Sequence, residues 1–348
     1  MSIVLITGSS GLVGSESVNF FSKKGFDVIG IDNNLRKFFF GNEGSTNKTK
    51  NDLLKNNKNF KSYNIDIRNY SSLEKIYKKY KKNISLIIHC AAQPSHDYGK
   101  NFPILDFNVN ATGTLNLLEL TKKYCPLAPF IFMSTNKIYG DNPNRLKIIE
   151  KKNRWELKEN DEYFKGIDES FSIDNCTHSF FGVSKTYADL IVQEYGKNVG
   201  LKTVCFRGGC ITGPNHSGAK LHGFLSYLVK VSMTKKKYSL IGYKGKQVRD
   251  NLHSYDLVNS FWEFFKKPTR GEVYNMGGGR YSNCSIIEAL DMVEAFAKIS
   301  IKREILKKPR VGDHIWYISN LSKFKKHYPN WKQKYNTKKI IQELMDNF

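Results

Sequence analysis

The sequence of 348 residues lacks several features that mark whole classes of protein. Its six cysteines form no C-x-x-C pair and no spacing typical of metal ligands, so no metal site is expected. No segment approaches the roughly 18 apolar residues of a membrane span, and the chain enters a strand-like run without the pattern of a signal peptide. These absences predict a reduced, cytoplasmic protein with no membrane partner.

Acidic residues are scarce relative to basic ones. The chain has 32 Asp and Glu against 55 Lys and Arg, which gives a formal net charge of +23. Such an excess favours anionic partners. The basic residues, mostly lysine, are spread over the whole chain, whereas a nucleic-acid-binding protein usually clusters them on one face with aromatic residues. We therefore predict that the partner is not a nucleic acid.

Short apolar runs alternate with helix-like segments in the first part of the chain. The runs cover residues 3–6, 28–31, 86–88 and 130–133. The helix patterns cover residues 15–24, 73–81 and 110–124. Strands without polar alternation are typical of parallel sheets covered by helices on both faces. The alternation predicts an α/β fold with a doubly wound, Rossmann-type parallel sheet.

A glycine-rich segment joins the first apolar run to the first helix pattern. Gly8, Gly11 and Gly14 can serve a tight turn, close approach of backbone N–H groups to a pyrophosphate, and close packing of helix on strand. The N-terminus of the following helix adds free donors and the positive end of a dipole. The segment predicts a dinucleotide phosphate site rather than a glycine turn without a ligand.

Asp32 lies at the end of the second apolar run, about 20 residues after the glycines, as a ribose-binding acid would. Its carboxylate should accept hydrogen bonds from the adenosine ribose and repel a 2′-phosphate, which favours NAD over NADP. Arg36 is near enough in sequence to attract such a phosphate, so NADP is the alternative. We predict NAD as the cofactor.

The alternation of strand and helix patterns is interrupted in two places. Residues 141–178 are charged and too long for an ordinary connection, which predicts an inserted lid-like loop. From residue 208 onward glycine, proline and histidine cluster and the pattern becomes mixed. We predict an NAD-binding domain over 1–207, joined by part of 247–276. A smaller C-terminal α/β domain over 208–348 would mainly bind substrate.

Further motifs follow the glycine-rich segment in order. They are Asp66-Ile67-Arg68, His89-Cys90-Ala91-Ala92, Asn110 before Gly113-Thr114, Ser134-Thr135-Asn136-Lys137-Ile138-Tyr139-Gly140, Gly182-Val183-Ser184-Lys185 and Gln247-Val248-Arg249-Asp250. Over essentially the whole chain they resemble the extended short-chain dehydrogenase/reductase family of NAD-dependent epimerases and dehydratases. Within that family, the motif at residues 134–140 looks most like the CDP-paratose (CDP-tyvelose) 2-epimerase branch.

The resemblance implies a set of site residues. Those expected to bind NAD are Gly8, Ser10, Gly11, Leu12, Val13, Gly14, Asp32, Asn33, Arg36, Asp66, Ile67, Ala91, Ala92, Asn110 and Lys185. The family's catalytic set is similar to a Thr or Ser, a Tyr, and a Lys four residues further along one helix. In that family the phenol takes a hydroxyl proton, and the ammonium lowers its pKa and binds the nicotinamide ribose. Thr135 and Lys185 match.

The tyrosine position departs from this pattern, because it holds Phe181, whose ring has no titratable group. One hypothesis is that another group takes the proton. His96 follows the fourth strand and His178 precedes Phe181 by three residues, and histidine suits proton transfer at neutral pH. The other hypothesis is a site that binds NAD and a nucleotide without efficient redox chemistry. A structural imidazole is the alternative for each histidine. The candidate catalytic set is Thr135, Lys185, His96 and Phe181.

Residues for the substrate are expected later in the chain. Arg249 and Arg310 match the arginines that grip the diphosphate in nucleotide-sugar enzymes of this family, where the planar guanidinium pairs with two phosphate oxygens. A surface charge is the alternative for either arginine. Asp313 is expected at the nucleotide ribose. Cys210 falls where the family usually has Asn, and the following segment up to His222 is expected to line the pocket.

The favoured interpretation is an NAD-dependent nucleotide-sugar epimerase, in which a ring carbon is oxidised to a transient ketone and the hydride returns to the other face. That carbon is C2 if the branch resemblance holds. Members that eliminate water resemble an Asp-Glu pair where this chain has Asn136-Lys137, which disfavours a dehydratase. The alternatives are a 4-epimerase or reductase, or an NAD-binding protein with weakened catalysis. We also expect a homodimer or larger homo-oligomer.

Overall fold

The computed structural model describes residues 2–214, 223–306 and 312–348, and its strands and helices are numbered along the chain. The strands are β1 Ile3–Thr7, β2 Asp27–Ile31, β3 Phe60–Tyr63, β4 Ile84–His89, β5 Phe130–Thr135, β6 Ile149–Glu150, β7 Trp155–Glu156, β8 Thr203–Gly208, β9 Cys210–Thr212, β10 Tyr238–Ile241, β11 Val248–His253, β12 Glu272–Met276, β13 Asn283–Ser285, β14 Arg303–Leu306 and β15 Trp316–Tyr317. The helices are α1 Leu12–Lys23, α2 Leu35–Phe40, α3 Asn47–Asn56, α4 Tyr70–Tyr80, α5 His96–Asn101, α6 Pro103–Phe107, α7 Gly113–Tyr124, α8 Phe180–Lys197, α9 Phe224–Met233, α10 Ser254–Lys266, α11 Ile286–Ala297, α12 Ser322–His327 and α13 Thr337–Asp346.

The chain forms two compact units, each assembled from separate stretches of sequence. The first unit consists of Met1–Thr135, Phe180–Arg207 and Leu257–Tyr274. The second consists of Asn136–Ser179, Gly208–Asp256 and Asn275–Phe348. The segment 141–178, predicted as a lid-like insertion in the first domain, is thus grouped with the second unit. The assignment of one domain to NAD and the other to substrate stays a prediction.

The first unit is built on a seven-stranded sheet with the order β12-β8-β5-β4-β1-β2-β3. β1 pairs in parallel with both β2 and β4, which places Thr7 beside Ile31 on one side and His89 on the other. β1 is buried throughout because its side chains are apolar on both faces. The strand order reverses between β1 and β4, and in such folds ligands bind beyond the carboxyl ends of the strands at that point. The predicted parallel α/β fold is confirmed.

The helices of the first unit form two groups. α7 contacts both α4 and α8, and apolar side chains of the three helices, such as Leu73, Leu117 and Ala188, are fully buried. α1 contacts α3, and its Phe21 ring meets Trp262 of α10 with ring centroids 6.2 Å apart. The helix expected at residues 110–124 is α7 preceded by a π-helical turn over Asn108–Thr112.

The second unit combines a small mixed sheet with helices. β11 pairs antiparallel with β13 and parallel with β15 and β9, while β10 pairs in parallel with β14. In the segment 141–178, β6 and β7 form a short antiparallel pair. Leu157 and Ile167 from this segment are fully buried in a cluster with Val248 and Trp316. The surrounding charged residues conceal this apolar core from a composition-based prediction.

The described ranges contain neither a helix that could span a membrane nor a cluster of side chains that could hold a metal ion. Every helix there is too short or too polar to cross a membrane. No group of three His, Cys, Asp or Glu side chains in the same ranges comes together in a way that could hold a metal ion.

Candidate active site

The glycine-rich segment forms a tight loop between β1 and α1. Gly8 has a φ of +66°, and its N–H donates to the Ile31 carbonyl at 2.8 Å. A Cβ at Gly14 would lie 2.0 Å from the Gly8 carbonyl oxygen, and one at Gly8 would lie 2.7 Å from the Ala91 nitrogen. α1 follows Gly11 with no side chain capping its N-terminus. The helix therefore presents the backbone donors of its first turn, which includes Leu12, Val13 and Gly14, toward this loop.

Asp32 follows β2 and faces the loop. Its carboxylate accepts hydrogen bonds from the backbone N–H of Ser10 at 3.0 Å and of Asn34 at 2.8 Å. Burial raises the pKa of Asp32 above its ordinary value, against the lowering effect of these two hydrogen bonds. Neighbouring Asn33 donates to Asp66 at 2.9 Å. The guanidinium of Arg36 lies over the Phe40 ring, 4.7 Å from its centroid.

Two buried hydroxyls in the loop have no protein partner within the described ranges. They are Ser9 Oγ and Ser10 Oγ, which are shielded from solvent yet make no hydrogen bond there. Buried polar groups normally have partners, so unsatisfied hydroxyls beside a glycine cradle and a ribose-type carboxylate fit a dinucleotide. The residues present thus fit NAD.

Lys185 lies on α8, near the end of β5. Its Nζ donates to the Met133 carbonyl at 2.7 Å and lies 4.0 Å from the centroid of the Phe132 ring. Burial lowers the pKa of Lys185 to about 8, against the opposing pull of Asp189. Thr135 is the last residue of β5. Both residues belong to the first unit, together with the glycine loop.

Phe181 and His96 contact each other. Phe181 lies one helical turn before Lys185 on α8 and is 8% exposed. The imidazole of His96, the first residue of α5, meets its ring edge-to-face with centroids 5.1 Å apart. The structure therefore places one of the two candidate histidines beside the position where the family has tyrosine.

His178 lies in the second unit and is engaged elsewhere. Its Nε2 is 2.6 Å from the Ile138 carbonyl, and its ring nitrogens are 3.7 Å from Cys176 Sγ. Because a carbonyl only accepts hydrogen bonds, Nε2 carries the proton and donates it. This arrangement leaves one ring nitrogen, next to a thiol, for any other contact.

A buried polar network in the first unit, which sequence reasoning missed, connects the loop after β4 with α6 and α8. Asp106 on α6 is 1% exposed and accepts hydrogen bonds from Gln93 Nε2 and Ser184 Oγ, both at 2.5 Å. The Asn110 side chain joins the same network, with bonds to the Gln93 backbone at 2.9 and 3.1 Å and to Ser184 Oγ at 3.0 Å. The network fixes the loop after β4, which carries Ala91, Ala92 and His96, to the helix of Lys185. No sequence motif marks Gln93 or Asp106.

In the second unit the substrate candidates are partly described. Arg249 donates to the carboxylate of Asp313 and, at 2.7 Å, to the Val248 carbonyl. Cys210 lies near them, and burial raises the pKa of its thiol to about 11, so it is no ready nucleophile. The predicted residues His222 and Arg310 lie outside the described residues. The side chain of Ile67, which is expected at NAD, packs against the first residue of α7, where it would meet a Cβ at Gly113.

Comparison with known proteins identifies the family of this chain. The model of the NAD dependent epimerase/dehydratase family matches residues 4–277. The chain belongs to this family. A CDP-paratose 2-epimerase of Salmonella typhi is 30% identical over 99% of this chain and 98% of its own length. A UDP-glucuronate 4-epimerase of Thermodesulfobacterium geofontis is 27% identical over 95% of this chain and 91% of its own.

Solved structures share the fold of the chain. A UDP-glucose 4-epimerase of Thermus thermophilus in complex with NAD superposes with a TM-score of 0.78 at 22% identity, over 99% of this chain and 98% of the other. A dTDP-glucose 4,6-dehydratase of Bacillus anthracis in complex with NAD gives 0.77 at 23% identity, over 100% and 96%. As a member of this epimerase/dehydratase family, the protein uses NAD, and the prediction of that cofactor is confirmed.

Proposed function

We propose that this family member is a nucleotide-sugar epimerase that inverts C2 of a CDP-linked hexose through a transient ketone. The observation that carries the proposal is the 30% identity to a CDP-paratose 2-epimerase over nearly the full length of both chains. Asn136 and Lys137 agree with it, because neither supplies the carboxylate that a dehydratase would use to eliminate water. The reaction consumes no cofactor, because oxidation and reduction take place at the same carbon.

Residues of the first unit would hold the cofactor. The first turn of α1 and the loop hydroxyls of Ser9 and Ser10 would bind the pyrophosphate, and Asp32 would accept hydrogen bonds from the adenosine ribose. Lys185 would donate to the nicotinamide ribose. Bound NAD would supply the hydride acceptor, and later the hydride donor, at the sugar carbon.

His96 would be the base that takes the proton of the sugar hydroxyl. Phe181 lacks a titratable group, and the His96 imidazole lies against it, one helical turn from Lys185. Neutral imidazole accepts the proton as the hydroxyl carbon becomes a ketone, and imidazolium returns the proton when the carbon is reduced. His178 is the weaker candidate because its Nε2 already donates to a backbone carbonyl.

Two other side chains complete the proton step. Thr135 would donate its hydroxyl hydrogen to the sugar oxygen and hold that oxygen toward the base. Lys185 would stabilise negative charge on the same oxygen while its ammonium is protonated, which holds below about pH 8. Above that pH the cation is lost and the stabilisation with it.

In the second unit, Arg249 would bind the diphosphate of the nucleotide-sugar and Asp313 the ribose of the nucleotide. In the described structure Asp313 pairs with Arg249. A diphosphate is a stronger partner for a guanidinium than one carboxylate, because two of its oxygens match the planar fork of donors. Substrate would therefore release Asp313 from Arg249 for its own contact.

Self-association is part of the proposal. The outer surfaces of α6 and α8 in the first unit expose large apolar side chains, namely Ile104, Phe107, Phe180, Val183, Tyr187 and Leu190. Four of them, Ile104, Phe107, Phe180 and Val183, line an apolar hollow of about 420 Å³. Contiguous apolar surface of this kind is typical of an interface, and a second copy of the chain would cover it. Charged substitution at Val183 should shift the protein to a lower mass in analytical ultracentrifugation.

The test is epimerisation without added cofactor. Purified protein is incubated separately with CDP-paratose, UDP-glucose and UDP-glucuronate, and the products are separated by chromatography. The proposal predicts a C2 epimer from the CDP-sugar and no net change of nicotinamide absorbance. Thr135→Val is the matched variant, because it removes only a hydroxyl and should slow that conversion.

Each of the other outcomes would indicate a different function. A C4 epimer from a UDP-sugar would replace the 2-epimerase by a 4-epimerase. A net change in nicotinamide absorbance would indicate a reductase. NAD bound without any product would indicate a site that has lost its chemistry.

A further inference from the structure

Lys137 is a half-buried cation in the second unit that the proposed function leaves without a task. It lies in the 3₁₀ turn Asn136–Tyr139, directly after β5. Its Nζ donates to the backbone carbonyl of Gly312 at 2.8 Å. That contact brings it next to Asp313, the residue that pairs with Arg249. A lysine that is partly removed from water favours an anionic neighbour, because burying an ammonium is costly.

Among the described residues, Lys137 and the charged groups that act on it comprise two cations and one carboxylate. The charged groups that act on it are Asp313, which attracts it, and Arg249, which repels it. Asp313 also accepts a hydrogen bond from Arg249, so one carboxylate serves two cations. Neutral Cys210 adds no charge, because burial keeps its thiol protonated. Counted over the described residues, these groups thus carry an excess positive charge in a partly buried place.

We infer that Lys137 is a second cationic ligand of the substrate diphosphate, beside Arg249. The inference rests on the proposed function, since it assumes that Arg249 meets that diphosphate. An ammonium and a guanidinium around one dianionic group would balance the excess charge that the protein alone leaves. The three-donor ammonium has a donor for the Gly312 carbonyl and others that can reach phosphate oxygens.

The surroundings of Lys137 give this ligand a pH dependence. Burial lowers the pKa of Lys137 to about 8, and Arg249 lowers it further while Asp313 and Cys210 oppose the shift. Tyr243, a further titratable neighbour of Asp313 and Arg249, has its pKa raised by burial and stays neutral over the same interval. The ammonium is therefore present below about pH 8 and lost above it, whereas a guanidinium does not titrate in this interval. Diphosphate affinity should fall as the pH rises through that value.

The experiment measures CDP binding to the NAD-loaded protein by titration calorimetry between about pH 7 and about pH 9, one unit on each side of the pKa of Lys137. Four proteins are compared: wild type, Lys137→Gln, Lys137→Arg and Lys244→Gln. Lys244 is the matched control, because it is an exposed lysine of the same unit paired with Glu150. Bound NAD, released and quantified for each protein, reports whether the first unit is intact.

The inference predicts that wild type loses about tenfold in CDP affinity across this interval. Lys137→Gln should bind about tenfold more weakly at the lower pH and show no further loss. Lys137→Arg should keep its affinity at the higher pH, because a guanidinium does not titrate there. Lys244→Gln should follow wild type.

Two results would overturn the inference, in distinguishable ways. Wild type and Lys137→Gln with equal CDP affinity and the same pH profile would contradict the role of Lys137 and leave the proposed function in place, including when Lys137→Gln lowers turnover. Wild type that holds NAD but binds no CDP would contradict both the inference and the proposed CDP-sugar substrate.

Discussion

Two lysines, one in each unit, show how the same shift in pKa can accompany different tasks. Lys185 and Lys137 each donate to a backbone carbonyl, and burial lowers the pKa of each to about 8. Their neighbours differ. Two aspartates, Asp189 and Asp106, favour the charge of Lys185, and Asp189 also pairs with Arg207. Among the described residues, Lys137 instead shares the single carboxylate of Asp313 with Arg249. The neighbouring charges, rather than the pKa, distinguish the two lysines.

That contrast assigns proton and hydride chemistry to the region of Lys185 and anion binding to the region of Lys137. Substitutions near Lys185 should therefore lower turnover, and substitutions near Lys137 should lower nucleotide affinity. Variants that fail to separate in this way would remove the distinction between the two regions.

The largest effect is expected at His96. His96→Gln should lower turnover by about 100- to 10,000-fold, because it removes the proposed base while keeping a polar side chain of similar size. Bound NAD and CDP affinity should not change. His178→Gln is the control and should lose little activity. The measurement is the initial rate of epimerisation, and a fully active His96→Gln protein would sink the assignment of the base.

Lys185→Met should lower turnover by about 100-fold, because the sugar oxygen loses its cationic neighbour. The methionine side chain is unbranched, as lysine is, and can pack over the Phe132 ring, so the fold should persist. CDP affinity, measured by calorimetry, should stay within about twofold of wild type. An equal loss of CDP affinity would show that this region also binds the anion.

Arg249→Ala should weaken CDP binding by about 2 kcal/mol, roughly 30-fold, because a buried phosphate loses a charge-assisted partner. Part of this loss should be regained at low ionic strength, where Lys137 attracts the anion more strongly. NAD content should not change. Release of NAD on this substitution would instead place Arg249 in a structural role.

The smallest effect is expected at Phe181. Phe181→Tyr should leave turnover within about fivefold of wild type or lower it, because the site has an alternative base and the ring is closely packed against His96. A strong gain in rate, together with no loss in His96→Gln, would show that the site is degenerate and that the new phenol restores it.

The strands and longer helices of the first unit could be predicted from sequence because their patterns are local. The apolar runs at residues 3–6 and 130–133 correspond to β1 and β5, and the helix patterns at 15–24 and 73–81 to α1 and α4. The short helices α5 and α6 give too few residues for a periodic signal. α5 depends instead on its cap, in which Ser95 Oγ accepts from the Tyr98 N–H.

The residues of the site could be predicted from the sequence only where a single motif indicates a single role. Glycine spacing and the position of Asp32 point to the loop, and the spacing from Phe181 points to Lys185. Asp106 and Gln93 escaped prediction because their importance comes from contacts with Ser184, far away in sequence. In the sequence, Lys137 stands out only because a dehydratase has a carboxylate at this position. Its proximity to Asp313 could not be predicted, because it depends on a contact with Gly312, which lies 175 residues away in the chain.

The most direct test follows the hydrogen on the reacting carbon. A CDP-linked hexose deuterated at C2 is converted by the protein in ordinary water with no added NAD, and the product is examined by mass spectrometry. Transient oxidation predicts that the epimer keeps its deuterium, because the same hydride leaves and returns. Complete loss of deuterium to solvent would contradict the account, since it would mean that the carbon is deprotonated rather than oxidised.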